Sequence, residues 1–380
     1  MRIALLTYST KPRGGVVHTL ALAEALVRAG AEVDVWSLAR GGDTGFYRAV
    51  DPAVGIRLVP FPDKQVGPDA VTGADGAAEE TVGERIVRSI DLLRQAFCPS
   101  RYDIVHAQDC ISANAVDRPV RTVHHLDNFT TPQLVACHAR ALLDPVAHLT
   151  VSAAVARQLA DEWDITAHVI PNGVDSARFA DASADDAEAA VARWRWAQRF
   201  GRYVLSVGGI EPRKGTLDLI EAMAVLQRSR PEIPLVVAGG DTLFDYRDYR
   251  REVDALIERL GVRVEVLGTV DDDDLPSLVA GAGAFAFPSR AEGFGLAAME
   301  ALAAGVPLVC RDLPVFRELF ADSARFAGTP AGIAAALEAA LTVPDPERQE
   351  AGRRAAAAHS WDRAAHAHLD FYRAHRRVRA

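Results

Sequence analysis

One local pattern opens two separate parts of the chain: a short apolar run, then a glycine loop, then an amphipathic helix. At the start, "RIALLTY" is typical of a buried strand, "KPRGG" of a glycine loop and "VVHTLALAEALVRAG" of a helix that ends at Gly30, before the strand "EVDVWSL". Near residue 203 the pattern restarts with "YVLSVGG", "IEPRKG", "TLDLIEAMAVLQRS" and "IPLVVAGG". Because strands that alternate with helices favour parallel sheets, the repeated start predicts two doubly wound α/β domains.

Length and composition agree with two domains. The chain has 380 residues, of which 49% are hydrophobic and 24% charged, enough to bury two cores. Between the halves, "ADASADDAEAA" has few side chains to bury and indicates an exposed linker or the start of a helix, so we place the domains at 1–172 and 173–360. The segment at about 361–380 predicts a helix that packs back on the first domain. Residues 62–84 are poor in apolar side chains, and we expect a mobile loop there.

Charge and cysteine content disfavour several classes of partner. The net charge of −9 argues against nucleic acid, because phosphate backbones need a basic field. The four scattered cysteines fit no zinc or redox spacing, so we expect a reduced, cytoplasmic compartment and no bound metal. No apolar run approaches the roughly 18 residues of a membrane span. The basic end of the chain is either a solvated helix terminus or a weak peripheral contact with anionic lipid: Arg373, Arg376, Arg377 and Arg379.

The stretch "SRAEGFGLAAMEALAAGVPLVC", residues 289–310, predicts a strand-to-helix turn with two glutamates. The first N–H groups of such a helix point outward and favour a phosphate. Gly293 and Gly295 would let a ligand approach the backbone, and Glu292 could accept hydrogen bonds from hydroxyl groups. Glu292 and Glu300 are too far apart along the chain for the carboxylate pair of a glycoside hydrolase.

Two further loops predict anion binding. In "GGIEPRKGT", Arg213 and Lys214 could neutralise a diphosphate leaving group, or they form a solvated basic turn. "RGGVV" at the first helix start contains Gly14 and Gly15; it is either a tight turn or an anion site, and it lacks the full spacing of a dinucleotide fingerprint.

Polar residues also follow strand-like runs, where open sheets tend to carry function. His106 in "DIVHAQD" and His124 in "TVHHLDN" are each either catalytic or satisfied inside the protein. The acidic run at 271–274 is expected to cap the helix "LPSLVAG" rather than to bind a metal.

Together these segments resemble the retaining nucleotide-sugar glycosyltransferases of family 4, which have the GT-B fold. The resemblance covers essentially the whole chain and is carried by "RGGVV", "DIVHAQD", "TVHHLD", "VIPNGVD", "SVGGIEPRKG", "LGTVDDDDLPSL" and, most specifically, "EGFGLAAMEALAAGVPLV". It implies two Rossmann-like domains with the donor cleft between them and the acceptor on the N-terminal side. It also implies hexosyl transfer from a nucleotide-diphosphate sugar, most often a UDP- or GDP-sugar, to an unidentified hydroxyl, with no metal or other cofactor.

The resemblance implies a role for each candidate residue. Lys214, with Arg213 beside it, would stabilise the charge that develops on the diphosphate, and Glu292 would hold hydroxyls of the donor sugar. Glu300 would bind the ribose, and one of His106 and His124 would lie near the reacting centre. The remaining donor contacts would come from glycines or backbone N–H groups at Gly14, Gly15, Gly293, Phe294, Gly295 and Leu296.

Two positions depart from the pattern of the family. Gly209 stands where many relatives have an arginine, so Arg213 or Arg290 would have to compensate. Gln108 stands where relatives often have the histidine near the reacting centre, which leaves open which histidine acts. The alternatives to a transferase are a sugar-nucleotide epimerase on a similar scaffold and a non-catalytic protein that binds a nucleotide sugar.

Overall fold

The computed structural model describes residues 1–62, 80–126, 132–239 and 246–375, and these form two compact units. Unit 1 comprises Met1–Val151, Val155–Ile170 and Trp361–Ala380, and unit 2 comprises Ser152–Ala154 and Pro171–Ser360. Most of the loop that the sequence predicts at 62–84 lies outside the described residues, as do Arg376, Arg377 and Arg379. Within the described ranges, the helices are all too short or too polar to cross a membrane.

Unit 1 is a parallel sheet with helices on its faces. Its strands are β1 (Arg2–Leu6), β2 (Glu32–Arg40), β3 (Gly55–Phe61), β4 (Ile104–Ala107), β5 (Val120–Val123), β6 (Ala147–Thr150) and β7 (His168–Val169). The helices that follow them are α1 (Gly14–Arg28), α2 (Val82–Ala96), α3 (Cys110–Ala115), α4 (Pro132–Leu143) and α5 (Ala153–Trp163). The strand order is β3-β2-β1-β4-β5-β6-β7, and all neighbours are parallel. Buried side chains along β4 and β5 fit a sheet covered on both faces.

Unit 2 repeats this architecture. Its strands are β8 (Val204–Val207), β9 (Leu235–Ala238), β10 (Val264–Gly268), β11 (Ala284–Phe287), β12 (Leu308–Cys310) and β13 (Ala324–Phe326), in the parallel order β10-β9-β8-β11-β12-β13. Its helices are α6 (Ser176–Asp181), α7 (Ala187–Phe200), α8 (Thr216–Ser229), α9 (Arg247–Leu260), α10 (Leu275–Ala280), α11 (Leu296–Ala303), α12 (Pro314–Phe320), α13 (Pro330–Thr342) and α14 (Pro346–Ala358). Two doubly wound parallel sheets confirm the predicted fold class. The stretch "ADASADDAEAA" runs from the end of α6 into α7, so it contains the start of a helix, one of the two structures expected from the sequence.

The last helix, α15 (Trp361–Ala374), belongs to unit 1 although it follows unit 2 in the chain. It packs on α1 through an apolar face that includes Ala365 and Tyr372, both fully buried. These side chains join the same core as Leu20 and Leu22 of α1. Helix α15 therefore completes the hydrophobic core of the first unit.

Each sheet has one point where the strand order reverses. In unit 1 it lies between β1 and β4, and in unit 2 between β8 and β11. Open α/β sheets bind their ligands beyond the carboxyl ends of the strands at this switch point, because the loops there leave in opposite directions. The loops after β8 and β11 therefore define the candidate site of unit 2.

Candidate functional site

The loop after β8 brings a lysine and an arginine to the switch point of unit 2. Pro212–Lys214 form a short 3-10 turn, and the next residue, Gly215, has a φ of +69°. A Cβ atom at Gly215 would lie 2.4 Å from the carbonyl oxygen of Pro288, so glycine is needed for this loop to pack against the loop after β11. The amide of Arg290 also donates to the carbonyl of Arg213 at 2.7 Å. The two loops are thus fixed to each other through their backbones.

Three of the predicted site residues come together here. The Nζ of Lys214 donates to Oε2 of Glu292 at 2.7 Å, and Nη1 of Arg213 donates to the same oxygen at 3.1 Å. Arg213 also pairs with Glu211 at 2.7 Å. The side chain of Lys214 is 20% exposed and that of Glu292 13%, so salt screens this pair less than a surface pair. The lysine that the sequence predicts for the diphosphate is therefore ion-paired with the glutamate that it predicts for the sugar.

The start of α11 forms the second wall of the site. Gly295 has a φ of +92°, and a Cβ atom there would lie 3.1 Å from the ring of Phe287 and 3.2 Å from that of Phe320. The amide of Met299 donates to the carbonyl of Gly295 at 3.0 Å. The N–H groups of residues 296–298 precede this bond and lack a helical acceptor, so an anion at this point would meet them together with the helix dipole. The neighbouring Gly293 and Phe294 are buried.

Glu300 lies one turn into α11 and is half-buried. Burial raises its pKa to about 7, against the opposing charge of Arg178, and the nearby carboxylates of Asp272 and Asp175 add to the increase. Arg178 itself pairs with Asp272 at 2.9 Å. Glu300 therefore exchanges its proton near neutral pH, which an exposed glutamate does not do.

A second cluster braces the two loops and carries no sequence motif. Asp218 of α8 pairs with Arg290 at 2.9 Å and with Arg311, whose Nε donates to the carbonyl of Pro288 at 3.0 Å. Burial acts to raise the pKa of Asp218, but the hydrogen bonds and charges of the two arginines outweigh it and lower the pKa. The sequence analysis did not identify Arg311. It directly follows the strand β12, and a polar residue at the end of an apolar run was the signal that could have found it. Arg290, a predicted substitute for the arginine missing at Gly209, is engaged by Asp218.

His106 lies on β4 in the core of unit 1. Its side chain is fully buried, with Nδ1 2.6 Å from the hydroxyl of Tyr372 and Nε2 2.7 Å from that of Thr122. Burial lowers its pKa well below the usual value, so the ring is neutral at pH 7. With both nitrogens engaged inside the core, His106 fits the second alternative from the sequence, a histidine satisfied inside the protein.

His124 lies in a more open position after β5. Its Nε2 is 3.2 Å from Oε1 of Gln108, and its ring is 3.9 Å from where a Cβ atom of Gly15 would lie. Helix α1 begins at Gly14 without a side-chain cap, and Gly15 of its first turn lies beside this imidazole. Burial is the main cause of a pKa well below the usual value, so the ring is neutral. Of the two histidines, His124 is the better placed to meet a ligand.

The acidic run before α10 acts differently from the prediction. Asp274 occupies the N-cap position, but its side chain makes no hydrogen bond to the helix and pairs instead with Arg195 at 2.7 Å. Asp272 pairs with Arg178. These aspartates therefore stabilise the region through ion pairs to α6 and α7. In the described part of the chain, no group of three or more His, Cys, Asp or Glu side chains could hold a metal ion.

Comparison with known proteins assigns the chain to a family. Residues 12–178 match the family described as Glycosyltransferase Family 4, and residues 193–358 match Glycosyl transferases group 1. The D-inositol 3-phosphate glycosyltransferase of Salinispora arenicola (strain CNS-205) is 30% identical over 351 residues, which cover 81% of this chain and 76% of the relative. This chain belongs to glycosyltransferase family 4.

Other relatives of this family-4 glycosyltransferase agree. The phosphatidyl-myo-inositol mannosyltransferase of Mycolicibacterium smegmatis is 29% identical over 361 residues, covering 90% of this chain and 84% of the relative. The structure of sucrose-phosphate synthase from Thermosynechococcus elongatus has a TM-score of 0.76 at 20% identity, over 98% of each chain. The GT-B fold and the transferase class are therefore confirmed, with a sugar nucleotide as donor, and the epimerase alternative falls away.

Proposed function

We propose that this family-4 glycosyltransferase transfers a hexose from a UDP- or GDP-sugar to an acceptor hydroxyl, with retention of configuration. The observation that carries the proposal is the contact of 2.7 Å between Lys214 and Glu292 at the β8–β11 switch point. An ammonium group suits a leaving group that becomes negative, and a carboxylate suits ring hydroxyls, which donate hydrogen bonds. A sugar diphosphate supplies both groups: the diphosphate for Lys214 and the ring hydroxyls for Glu292.

Donor binding exchanges the partners of this cluster. The diphosphate takes Lys214 and Arg213, which frees Oε2 of Glu292 to accept from sugar hydroxyls. The two cations pass from a carboxylate oxygen to phosphate oxygens, so their charges stay paired, and Glu292 gains hydroxyl donors in their place. Glu211 keeps Arg213 in place through its contact of 2.7 Å.

The chemical step requires no covalent bond to the enzyme. The bond between C1 of the sugar and the diphosphate oxygen breaks, and its electron pair leaves with the diphosphate. Lys214 and Arg213 stabilise the negative charge that develops there. The acceptor oxygen bonds to C1 on the face that the diphosphate leaves, and the acceptor proton passes to an oxygen of the departing diphosphate. The configuration at C1 is thereby retained.

We propose roles for the remaining candidate residues as well. Glu300 accepts from the ribose hydroxyls, and the first N–H groups of α11 meet the diphosphate. His124, rather than the buried His106, offers a neutral imidazole to a substrate. Arg213 compensates for the arginine missing at Gly209, because it contacts Glu292 beside Lys214, whereas Arg290 pairs with Asp218 in the bracing cluster. Within unit 1, Gly14 and Gly15 at the start of α1 are the corresponding candidates for binding an anion through N–H groups.

We propose an inositol-bearing acceptor. The two curated relatives are named for such acceptors: one for D-inositol 3-phosphate and the other for phosphatidyl-myo-inositol. Both are similar to this chain over more than three quarters of its length. The two acceptors share an inositol ring with a phosphate ester, and they differ in whether a lipid is attached. An assay with both compounds separates these possibilities.

A binding experiment tests the donor site. UDP, GDP, ADP and TDP are titrated into the wild type, Lys214→Ala and Lys11→Ala. Lys11 is a matched control, because its Nζ also pairs with a carboxylate, that of Asp43 at 2.8 Å, but in unit 1. We expect UDP or GDP to bind, with an affinity about 10-fold weaker or more in Lys214→Ala and unchanged in Lys11→Ala. Equal affinities in all three proteins would refute the role of Lys214.

An activity experiment tests the reaction. UDP-glucose and GDP-mannose are incubated with inositol phosphate or phosphatidylinositol, and the anomeric configuration of the product is read by NMR. An α-linked donor should give an α-linked product. A β-linked product would contradict retention. Tight donor binding without transfer to any acceptor would favour the non-catalytic alternative instead.

A further inference from the structure

Ser289 follows β11 and Pro288, and its hydroxyl group is buried without a hydrogen-bond partner among the described residues. The residue is 1% exposed, and among the residues that the structure describes its Oγ has no hydrogen-bond partner. A buried hydroxyl left without a partner is destabilising, because it has lost its hydrogen bonds to water and gained none in the protein. Such atoms are few in folded proteins, and each one calls for an explanation.

The same residue borders a cavity that also contains Lys214. This small cavity at the carboxyl ends of β8 and β11 is lined by Gly208, Gly209, Lys214, Thr216, Pro288 and Ser289, among others. The ring of Phe287 forms an apolar part of its wall, and its centroid is 5.2 Å from Nζ of Lys214. The residue with the buried hydroxyl and the residue with the ammonium group therefore line one space. Both are donors that an anion can satisfy together.

Ser37 is a second serine whose buried hydroxyl lacks a partner among the described residues, and it differs from Ser289 in its position. It is fully buried on β2 of unit 1, and within the described ranges its Oγ also has no partner. It does not line the cavity that contains Lys214. Two independent observations single out Ser289: its unsatisfied hydroxyl, and a cavity shared with the cation at the switch point.

We propose that Ser289 is a further donor-binding residue, whose hydroxyl donates a hydrogen bond to a non-bridging oxygen of the donor diphosphate beside Lys214. This inference rests on the proposed function and adds a specific contact to it. A diphosphate diester accepts hydrogen bonds and donates none, so it matches a hydroxyl and an ammonium group. Because the contact is to phosphate, its loss affects nucleoside diphosphates irrespective of their base.

The test compares binding with stability in matched variants. The dissociation constants of UDP and GDP and the urea midpoint are measured for Ser289→Ala, Ser37→Ala and Lys214→Ala. Removing the unsatisfied hydroxyl should leave the urea midpoint of Ser289→Ala unchanged or higher, while its nucleotide affinity falls about 10-fold. Ser37→Ala should show the same stability behaviour with unchanged affinity. Ser289→Cys nearly preserves the volume with a weak donor, and it should also bind more weakly.

Each outcome separates this inference from the proposed function. If Ser289→Ala binds within about twofold of the wild type while Lys214→Ala loses affinity, the inference is overturned and the proposed function stands. If Ser289→Ala loses both stability and affinity while Ser289→Cys keeps both, the serine only fills space, and the inference is again overturned. If the wild type binds none of the nucleotides, the proposed function fails together with it.

Discussion

Burial of Glu300 in α11 gives donor binding a pH dependence that can be calculated. Burial raises the pKa of this carboxyl group to about 7, although Arg178 opposes the increase. The ribose hydroxyls that we assign to Glu300 are donors, and the ionised carboxylate is a pure acceptor that can satisfy both of them. Donor affinity should therefore increase as the pH rises and Glu300 loses its proton.

The size of this effect follows from the pKa. About one-tenth of Glu300 is ionised at about pH 6 and about nine-tenths at about pH 8, so the dissociation constant should fall about 10-fold, or about 1.4 kcal/mol. Calorimetric titration with an intact nucleotide sugar measures this, because its diphosphate does not titrate in this range. Glu300→Gln cannot ionise and should give a flat profile. The same slope in this variant, or an affinity that falls with pH, would refute the reasoning.

Folding stability gives an independent readout of the same group. The pKa of Glu300 in the folded state is above the ordinary value of 4.5, so the fold favours the protonated form. Stability should therefore fall as the pH rises from the ordinary pKa through about 7, by at most about 3 kcal/mol. Glu300→Gln removes this loss, so its stability relative to the wild type should be higher at pH 8 than at pH 5 in urea unfolding. An equal difference at both pH values would contradict the assignment.

Three further substitutions test the scaffold by urea unfolding. Gly295→Ala should lower the free energy of unfolding by about 2 kcal/mol or more, because a left-handed alanine is strained by about 1–2 kcal/mol and its Cβ crowds two phenylalanine rings. The control Gly328→Ala has open space around its Cβ and should be nearly neutral. Tyr372→Phe removes a hydrogen-bond partner of the buried His106 and should cost about 1–3 kcal/mol; an unchanged midpoint would contradict this. The pKa of Asp218 is lowered in the folded state, so the stability that its carboxylate contributes is present above the ordinary pKa of 3.8 and is lost on acidification. Asp218→Asn should therefore be less stable than the wild type at pH 7, and its free energy of unfolding should change less as the pH falls.

The fold could be predicted because its signals are local. The helix expected from "TLDLIEAMAVLQRS" is α8 at Thr216–Ser229, and the turn into α11 lies where its glycines indicate. Strand lengths were less certain, since β1 ends at Leu6, two residues before the end of the predicted strand "RIALLTY". The sequence left open whether "ADASADDAEAA" is a linker or the start of a helix, because its composition suits both; it contains the end of α6 and the start of α7.

The site could be predicted only loop by loop. Lys214 and Glu292 are 78 positions apart in the chain, and their contact depends on β11 lying beside β8, which the order along the sequence does not reveal. His106 could not be separated from His124, because its burial depends on Tyr372, 266 positions further along. Ser289 is the first residue of the stretch at 289–310, but its unsatisfied hydroxyl is a property of the folded surroundings and not of the sequence.

The position of α15 has a consequence for how the protein is made. The side chains of Ala365 and Tyr372 complete the core of unit 1, but the ribosome reaches them only after all of unit 2 has been translated. The apolar surface beside α1 therefore stays uncovered until translation passes residue 360, when the chain of the second unit has been synthesised in full. A chain that ends just before residue 361 would contain all of the second unit but leave this apolar surface of the first unit exposed, and exposed apolar surface is what chaperones bind.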